Sequence, residues 1–94
     1  KDAAFVIVNP SHIAVGLEYA PPRVAVPRVL VRAADEAAMR VRAIAASRRI
    51  PLVENALLAR ALYRDCRTGE AIPQRHYVAV AEVVAALLRV EKGR

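Results

Sequence analysis

Ninety-four residues, 56% of them hydrophobic, carry a formal net charge of +6 and suffice for one small, basic domain, 1–94, with a single core. No uninterrupted apolar stretch approaches the ~20 residues of a membrane span, and nothing reads as a signal peptide. The lone Cys66 excludes an internal disulfide and suits a reducing cytoplasm.

In chain order, Ala4 to Val8 is a short, continuous apolar run and is predicted to be a buried strand. Asn9 to Ser11 interrupts it as a turn, and His12 to Tyr19 is a second strand. Ala20 to Val26 contains Pro21 and Pro22 and ends before Pro27, so it is expected to be a loop. Arg28 to Arg32 alternates basic and apolar residues, as a half-exposed strand with Val29 and Val31 inward. Asp35 and Glu36 open a helix, where negative charge complements the N-terminal dipole, and Ala37, Val41 and Ile44 mark its buried face. Leu52 and Val53 form a short strand after Pro51. Asn55 is a good N-cap for a helix through about Tyr63. Pro73 fits the first turn of a last helix, whose stripe is Tyr77, Val80, Ala81, Val84 and Leu87 or Leu88. The strand–helix–strand unit between Val29 and Val53 implies a parallel pair with a right-handed crossover. The whole is an α/β arrangement, a small mixed sheet surrounded by helices.

The tetrapeptide Asn9-Pro10-Ser11-His12 carries chemistry. In an ordinary Asn-X pair the backbone nitrogen of X attacks the Asn side chain and deamidates it. Proline has no N–H, so that route is closed. The remaining intramolecular reaction is attack of the Asn9 side-chain nitrogen on its own carbonyl carbon, which forms a succinimide and breaks the Asn9-Pro10 bond. A rigid turn speeds such a step, since preorganisation removes up to ~7–11 kcal/mol from a barrier. His12 is placed to move protons, and the Ser11 hydroxyl to hydrogen-bond within the turn. A plain strand–turn–strand reading of the same four residues stands beside this one.

The stretch Val8-Asn9-Pro10-Ser11-His12-Ile13-Ala14-Val15-Gly16-Leu17 resembles the NPTH region of the FlhB/YscU family, the switch proteins of type III secretion export machines. The resemblance continues through Val26-Pro27-Arg28-Val29-Leu30, Ile50-Pro51-Leu52-Val53-Glu54-Asn55, Leu58-Ala59-Arg60-Ala61-Leu62-Tyr63, Gly69-Glu70-Ala71-Ile72-Pro73 and Ala79-Val80-Ala81-Glu82-Val83. The chain looks like the cytoplasmic C-terminal domain of such a protein. The resemblance implies a mixed four-stranded sheet with helices packed around it and the cleavage turn between two strands. It implies self-cleavage at Asn9-Pro10 with Asn9, Pro10, Ser11 and His12 as the reacting unit, fragments that remain associated, and a switch of export from early to later substrates. It also implies a membrane-anchored full-length protein at the cytoplasmic face of the bacterial inner membrane, in an injectisome or a flagellum. Ile13 to Leu17 looks slightly more like the virulence injectisome branch. Implied partners are other export-apparatus components, early export substrates and a length-sensing protein. The family usually has Thr where Ser11 stands, a departure that bears on cleavage rate. It often has Pro-Pro or basic-Pro where Ala56-Leu57 stands, and a basic residue before Gly where Arg32-Ala33 stands.

Neither a cofactor nor a metal ion is expected. There is no Gly-rich phosphate loop and no zinc spacing, and His76, at the start of the last helix without a metal partner at i+4, reads as a solvated residue. Cys66, among Arg64, Asp65 and Arg67, reads as a passive surface cysteine in a loop. A docking patch is expected where the proline-rich segment with Val24, Val26 and Pro27 meets surplus apolar residues of the last helix such as Val84. The alternative reading is a non-cleaving basic α/β interaction module, with nucleic acid as one partner. The arginines are scattered rather than clustered, and no aromatic-rich binding strand accompanies them, so nucleic acid is not the expected partner. An anionic inner leaflet explains the charge as well.

Overall fold

A computed structural model describes residues 2–92. Its chain order is β1 (Phe5–Asn9), β2 (Ile13–Ala20), β3 (Val24–Ala34), α1 (Asp35–Ser47), β4 (Leu52–Glu54), α2 (Ala56–Asp65), a 3-10 turn (Gln74–His76) and α3 (Tyr77–Lys92). The four strands form one mixed sheet in the order β3-β2-β1-β4. The pairs β1–β2 and β2–β3 are antiparallel, and β1–β4 is parallel.

The apolar run of β1 is explained by its place. It lies between two strands and has both faces covered, so Phe5, Val6, Ile7 and Val8 are all buried and no alternation is needed. Phe5 and Ile7 join Val15, Leu17 and Val29 against Leu58, Leu62, Val80 and Val83 of α2 and α3. Val6 and Val8 join Ala14 and Ala33 against Ala38 and Ala45 of α1. The sheet thus separates two apolar layers, a larger one under α2 and α3 and a smaller one under α1.

The strand before α1 is longer than the expected Arg28 to Arg32. It begins at Val24, and the connection from β2 shrinks to residues 21–23. Pro27 is accommodated because β3 is an edge strand, where a missing N–H breaks no ladder bond. The outer side of β3 is nevertheless bridged between Pro27 and Val29. Ile72 N–H donates to the Pro27 carbonyl at 2.9 Å, Val29 N–H to the Glu70 carbonyl at 2.8 Å, and Gly69 N–H to the Val29 carbonyl at 2.7 Å. Val29 and Val31 do not share a face. A register irregularity, in which Val31 pairs with Gly16 but Val29 with Leu17, inserts Leu30 and flips the side-chain alternation. Val29 therefore enters the α2/α3 layer, and Val31 sits over Gly16. A Cβ on Gly16 would lie 2.8 Å from a Val31 methyl, so a larger residue there would force Val31 to shift.

The expected parallel pair across α1 is also revised. β3 and β4 run in the same direction, but they lie at opposite edges of the sheet, and the parallel partner of β4 is β1, with Ile7 opposite Val53. The meander of β1, β2 and β3 leaves an open edge beside β1, so the crossover through α1 passes over two strands before it lands. On α1 the residues buried are Ala38 and Ala45, with Ala37 and Val41 half-buried and Ile44 exposed. Small residues let the helix lie close on the sheet, which rotates the contact stripe away from Ile44.

Asn55 caps α2 as expected, its side-chain oxygen accepting from Leu58 N–H at 3.1 Å. Asn55→Ala is expected to lower stability by about 1 kcal/mol in a denaturant titration. Pro73 precedes the 3-10 turn rather than opening α3 itself. The stripe α3 buries is Val80 and Val83, flanked by Val84 and Leu87, while Tyr77, Ala81 and Leu88 are exposed. Cys66 is not a surface residue. It is buried in the α2/α3 layer, where desolvation pushes its thiol pKa up and keeps it protonated. His76 is likewise not solvated. Its Nε2 lies 2.7 Å from an oxygen of Asp65 at the end of α2. Hydrogen bonds from Arg64 and His76 hold the Asp65 carboxyl well below the usual carboxylate range.

Candidate functional site

Residues 9–12 sit at the tip of the β1–β2 hairpin. The two strands close at the pair Asn9 and Ile13, which leaves Pro10, Ser11 and His12 to make the reversal. His12 N–H donates to the Asn9 carbonyl at 2.8 Å, the bond that closes a four-residue turn. Asn9 and Pro10 are half-buried, whereas Ser11 and His12 are exposed.

The turn is tied to its surroundings carbonyl by carbonyl. Asn55 N–H donates to Val8 O at 3.0 Å, and Asp35 N–H to His12 O at 2.9 Å. Arg42 of α1 donates from Nη1 to Pro10 O. With the His12 bond to Asn9 O, the main chain is held before, at and after the Asn9-Pro10 bond. Asp35 itself takes a left-handed backbone (φ 53°) in order to begin α1 where it meets the turn, a conformation that Asp tolerates better than most residues.

This geometry bears directly on the chemistry. The carbonyl that the Asn9 side chain would attack already accepts a backbone hydrogen bond. A donor aimed at that oxygen stabilises negative charge developing on it. Among the described residues no hydrogen bond occupies the Asn9 side-chain amide, so its nitrogen is not diverted. The His12 ring points to α1, with Nδ1 at 4.0 Å from the Asp35 carboxylate. The contact of His12 with the candidate scissile carbonyl runs through its main chain. The Ser11 hydroxyl makes no hydrogen bond among the described residues, so the turn bond expected of it is absent.

The expected docking residues are brought together in part. Val26 and Pro27 of β3 and Val84 of α3 line one apolar groove of about 370 Å³, with Tyr19, Tyr77 and Leu88 around them. Val24 is half-buried but does not line it. Tyr77 and Leu88, 42% and 53% exposed, form its outer wall. Among the described residues, no cluster of side chains is suited to holding a metal ion, and no helix is long and apolar enough to cross a membrane.

Among the contacts of the turn that escaped the sequence, two lie at the Asn9 and Pro10 carbonyls. One is the His12 N–H to Asn9 O bond, a main-chain contact without a residue-type signal beyond the turn itself. The other is Arg42, which stands 32 positions from Pro10 and reads locally as one more arginine on a helix.

The family model described as "FlhB HrpN YscU SpaS Family" matches residues 1–87. The flagellar biosynthetic protein FlhB of Yersinia enterocolitica is 41% identical over 92 residues, which cover 98% of this chain and 24% of that protein. The secretion system apparatus protein SsaU of Salmonella typhimurium is 42% identical over 90 residues, covering 96% of this chain and 24% of that protein. The chain therefore spans about a quarter of the length of these curated relatives, and flagellar and other secretion-system proteins resemble it equally. Among solved structures, the cytoplasmic domain of FlhB from Shewanella putrefaciens superposes with a TM-score of 0.88 at 34% identity, covering 99% of this chain and 74% of that one. A mutated EscU C-terminal domain gives 0.87 at 27% identity, covering 90% and 85%.

Proposed function

Because the chain belongs to the FlhB/HrpN/YscU/SpaS family of type III secretion export proteins, we propose that it is the self-cleaving switch and docking domain of an export apparatus. The observation that carries this reading is the Asn9-Pro10 bond at a hairpin tip, its carbonyl oxygen held by His12 N–H at 2.8 Å.

The reaction is an intramolecular transamidation, which cuts the chain, followed by a hydrolysis. Asn9 Nδ2 attacks the Asn9 carbonyl carbon, and a ring C–N bond forms as the Asn9-Pro10 C–N bond breaks. One proton leaves Nδ2 and one arrives at the Pro10 nitrogen, which departs as a secondary amine. One water then opens the succinimide and leaves a carboxylate at residue 9. The pyrrolidine nitrogen cannot compete by deamidation, and the His12 N–H stabilises the oxyanion. The exposed His12 ring, with Asp35 beside it, is the proton carrier available at the turn. The event occurs once per chain and converts it irreversibly, after which partner binding at the altered surface differs. It is not a protease activity toward other proteins.

Mass spectrometry after denaturation tests the reading. It is expected to find one fragment ending at Asn9 and one beginning at Pro10. A single intact chain under native incubation would leave a non-cleaving interaction module.

The groove between β3 and α3 is the docking surface of this reading, for early export substrates or a length-sensing partner of the apparatus. Its apolar lining and exposed outer wall support that role. In the whole protein this domain stands at the cytoplasmic face of the inner membrane beside the other export components. Val26→Asp puts a charge into the groove at a half-buried edge-strand position. It is expected to weaken binding of an early substrate at least tenfold, about 1.4 kcal/mol, with the melting temperature little changed. Unchanged binding by calorimetry, at unchanged stability, rules the groove out.

A further inference from the structure

Among the described residues, one side chain from outside the hairpin bonds the main chain of the turn. Arg42 of α1 donates from Nη1 to the Pro10 carbonyl, and Met39 Sδ lies 3.9 Å from the same nitrogen. Arg42 is half-buried, and its Nε is buried without a hydrogen-bond partner. A buried, unsatisfied N–H on a charged group is unfavourable. A long arginine on an exposed helix ordinarily carries its head into solvent. Here the head is drawn inward onto one main-chain oxygen, and that oxygen belongs to the residue whose nitrogen is the leaving group of the proposed cleavage.

The position matters for geometry. Attack by Asn9 Nδ2 requires the Asn9 carbonyl to be presented at a fixed angle to its own side chain, and the Pro10 peptide sets that angle from the other side. The β1–β2 ladder fixes the turn up to Asn9 and again from Ile13. Between them, α1 supplies two external ties, Asp35 N–H to His12 O and Arg42 to Pro10 O. We propose that Arg42 is a positioning residue for cleavage at Asn9-Pro10, pinning the Pro10 peptide to α1 so that the turn stays in reactive geometry. It touches neither the attacking nitrogen nor the carbon attacked, and it gives and takes no proton in the reaction. The inference rests on the self-cleavage reading.

Cleavage half-times in pulse-labelled cell-free synthesis, read on denaturing gels, test it for wild type, Arg42→Ala and Arg42→Lys. The same substitutions on an Asn9→Ala background report thermal stability without interference from cutting. Arg42→Ala is expected to lengthen the half-time by about tenfold or more, because a small misplacement of reacting groups is costly in rate. Its melting temperature on the uncleavable background is expected to stay within a few degrees of the parent. Arg42→Lys keeps a cationic donor and is expected to recover much of the rate. Cleavage of Arg42→Ala at the wild-type rate overturns the proposal. So does a slowed variant whose uncleavable counterpart has lost its fold, and so does a lysine variant no faster than alanine. A wild-type chain that stays intact overturns the cleavage reading as well, and is told apart because no arm then yields fragments.

Discussion

Asn9→Ala is expected to give a single intact chain where wild type gives two fragments. The substitution removes the attacking nitrogen and leaves the carbonyl, the proline and the turn bond from His12 N–H in place. Asn9 is half-buried at a strand end, and no side-chain hydrogen bond of its own is lost among the described residues. Folding should therefore be nearly unaffected, and the effect on cleavage complete. Asn9→Asp should be slow rather than dead, because a carboxylate is a poorer nucleophile toward its own carbonyl. Time-resolved mass spectra of the three proteins check this, and fragments from Asn9→Ala at the normal masses would exclude cyclisation.

The second large effect concerns what holds the cut chain together. β1 ends at the proposed scissile bond, yet it is an inner strand with β2 on one side and β4 on the other. Phe5, Val6, Ile7 and Val8 are 2%, 2%, 0% and 4% exposed. At ~1.5–3 kcal/mol for each fully buried large apolar side chain, their burial rivals the ~5–15 kcal/mol net stability of a typical domain. The fragment ending at Asn9 should therefore co-elute with the remainder on size exclusion and separate only when the fold melts. Ile7→Ala empties a site packed from both strands and helices. It is expected to cost about 2–5 kcal/mol in denaturant titration and, in the cut protein, to release the short fragment under conditions where wild type retains it. Retention of the fragment by Ile7→Ala at wild-type stability would mean that β1 is held by something other than this core.

What the sequence made legible was whatever a local pattern encodes. The unbroken apolar run at Phe5 to Val8, the Asn-Pro turn and the Asn55 cap each depend on neighbours in the chain. The contacts that depend on distant residues were not legible. Pro27 reads as a strand breaker until β3 is known to be an edge, bridged by Gly69 to Ile72. Val29 and Val31 read as one face because a bulge at Leu30 has no composition signal of its own. Cys66, among charged residues, reads as exposed, yet the end of α2 turns it inward while Asp65 collects Arg64, Arg75 and His76. At the candidate site the four residues Asn9 to His12 were visible as a motif. The ties that organise them, from Asp35, Arg42 and Asn55, come from two other helices and their caps.

The bridged stretch of the β3 margin, Pro27 to Val29, limits how anything else can bind. A sheet with a bare edge invites a visiting segment to add itself as one more strand. Here one margin is occupied by Gly69 to Ile72, and the other is the three-residue β4, entered through Pro51, which offers little backbone to pair with. Augmentation of the sheet is thus restricted at both ends. In the proposed docking role, a visitor would then be recognised chiefly by apolar side chains laid into the groove beside α3.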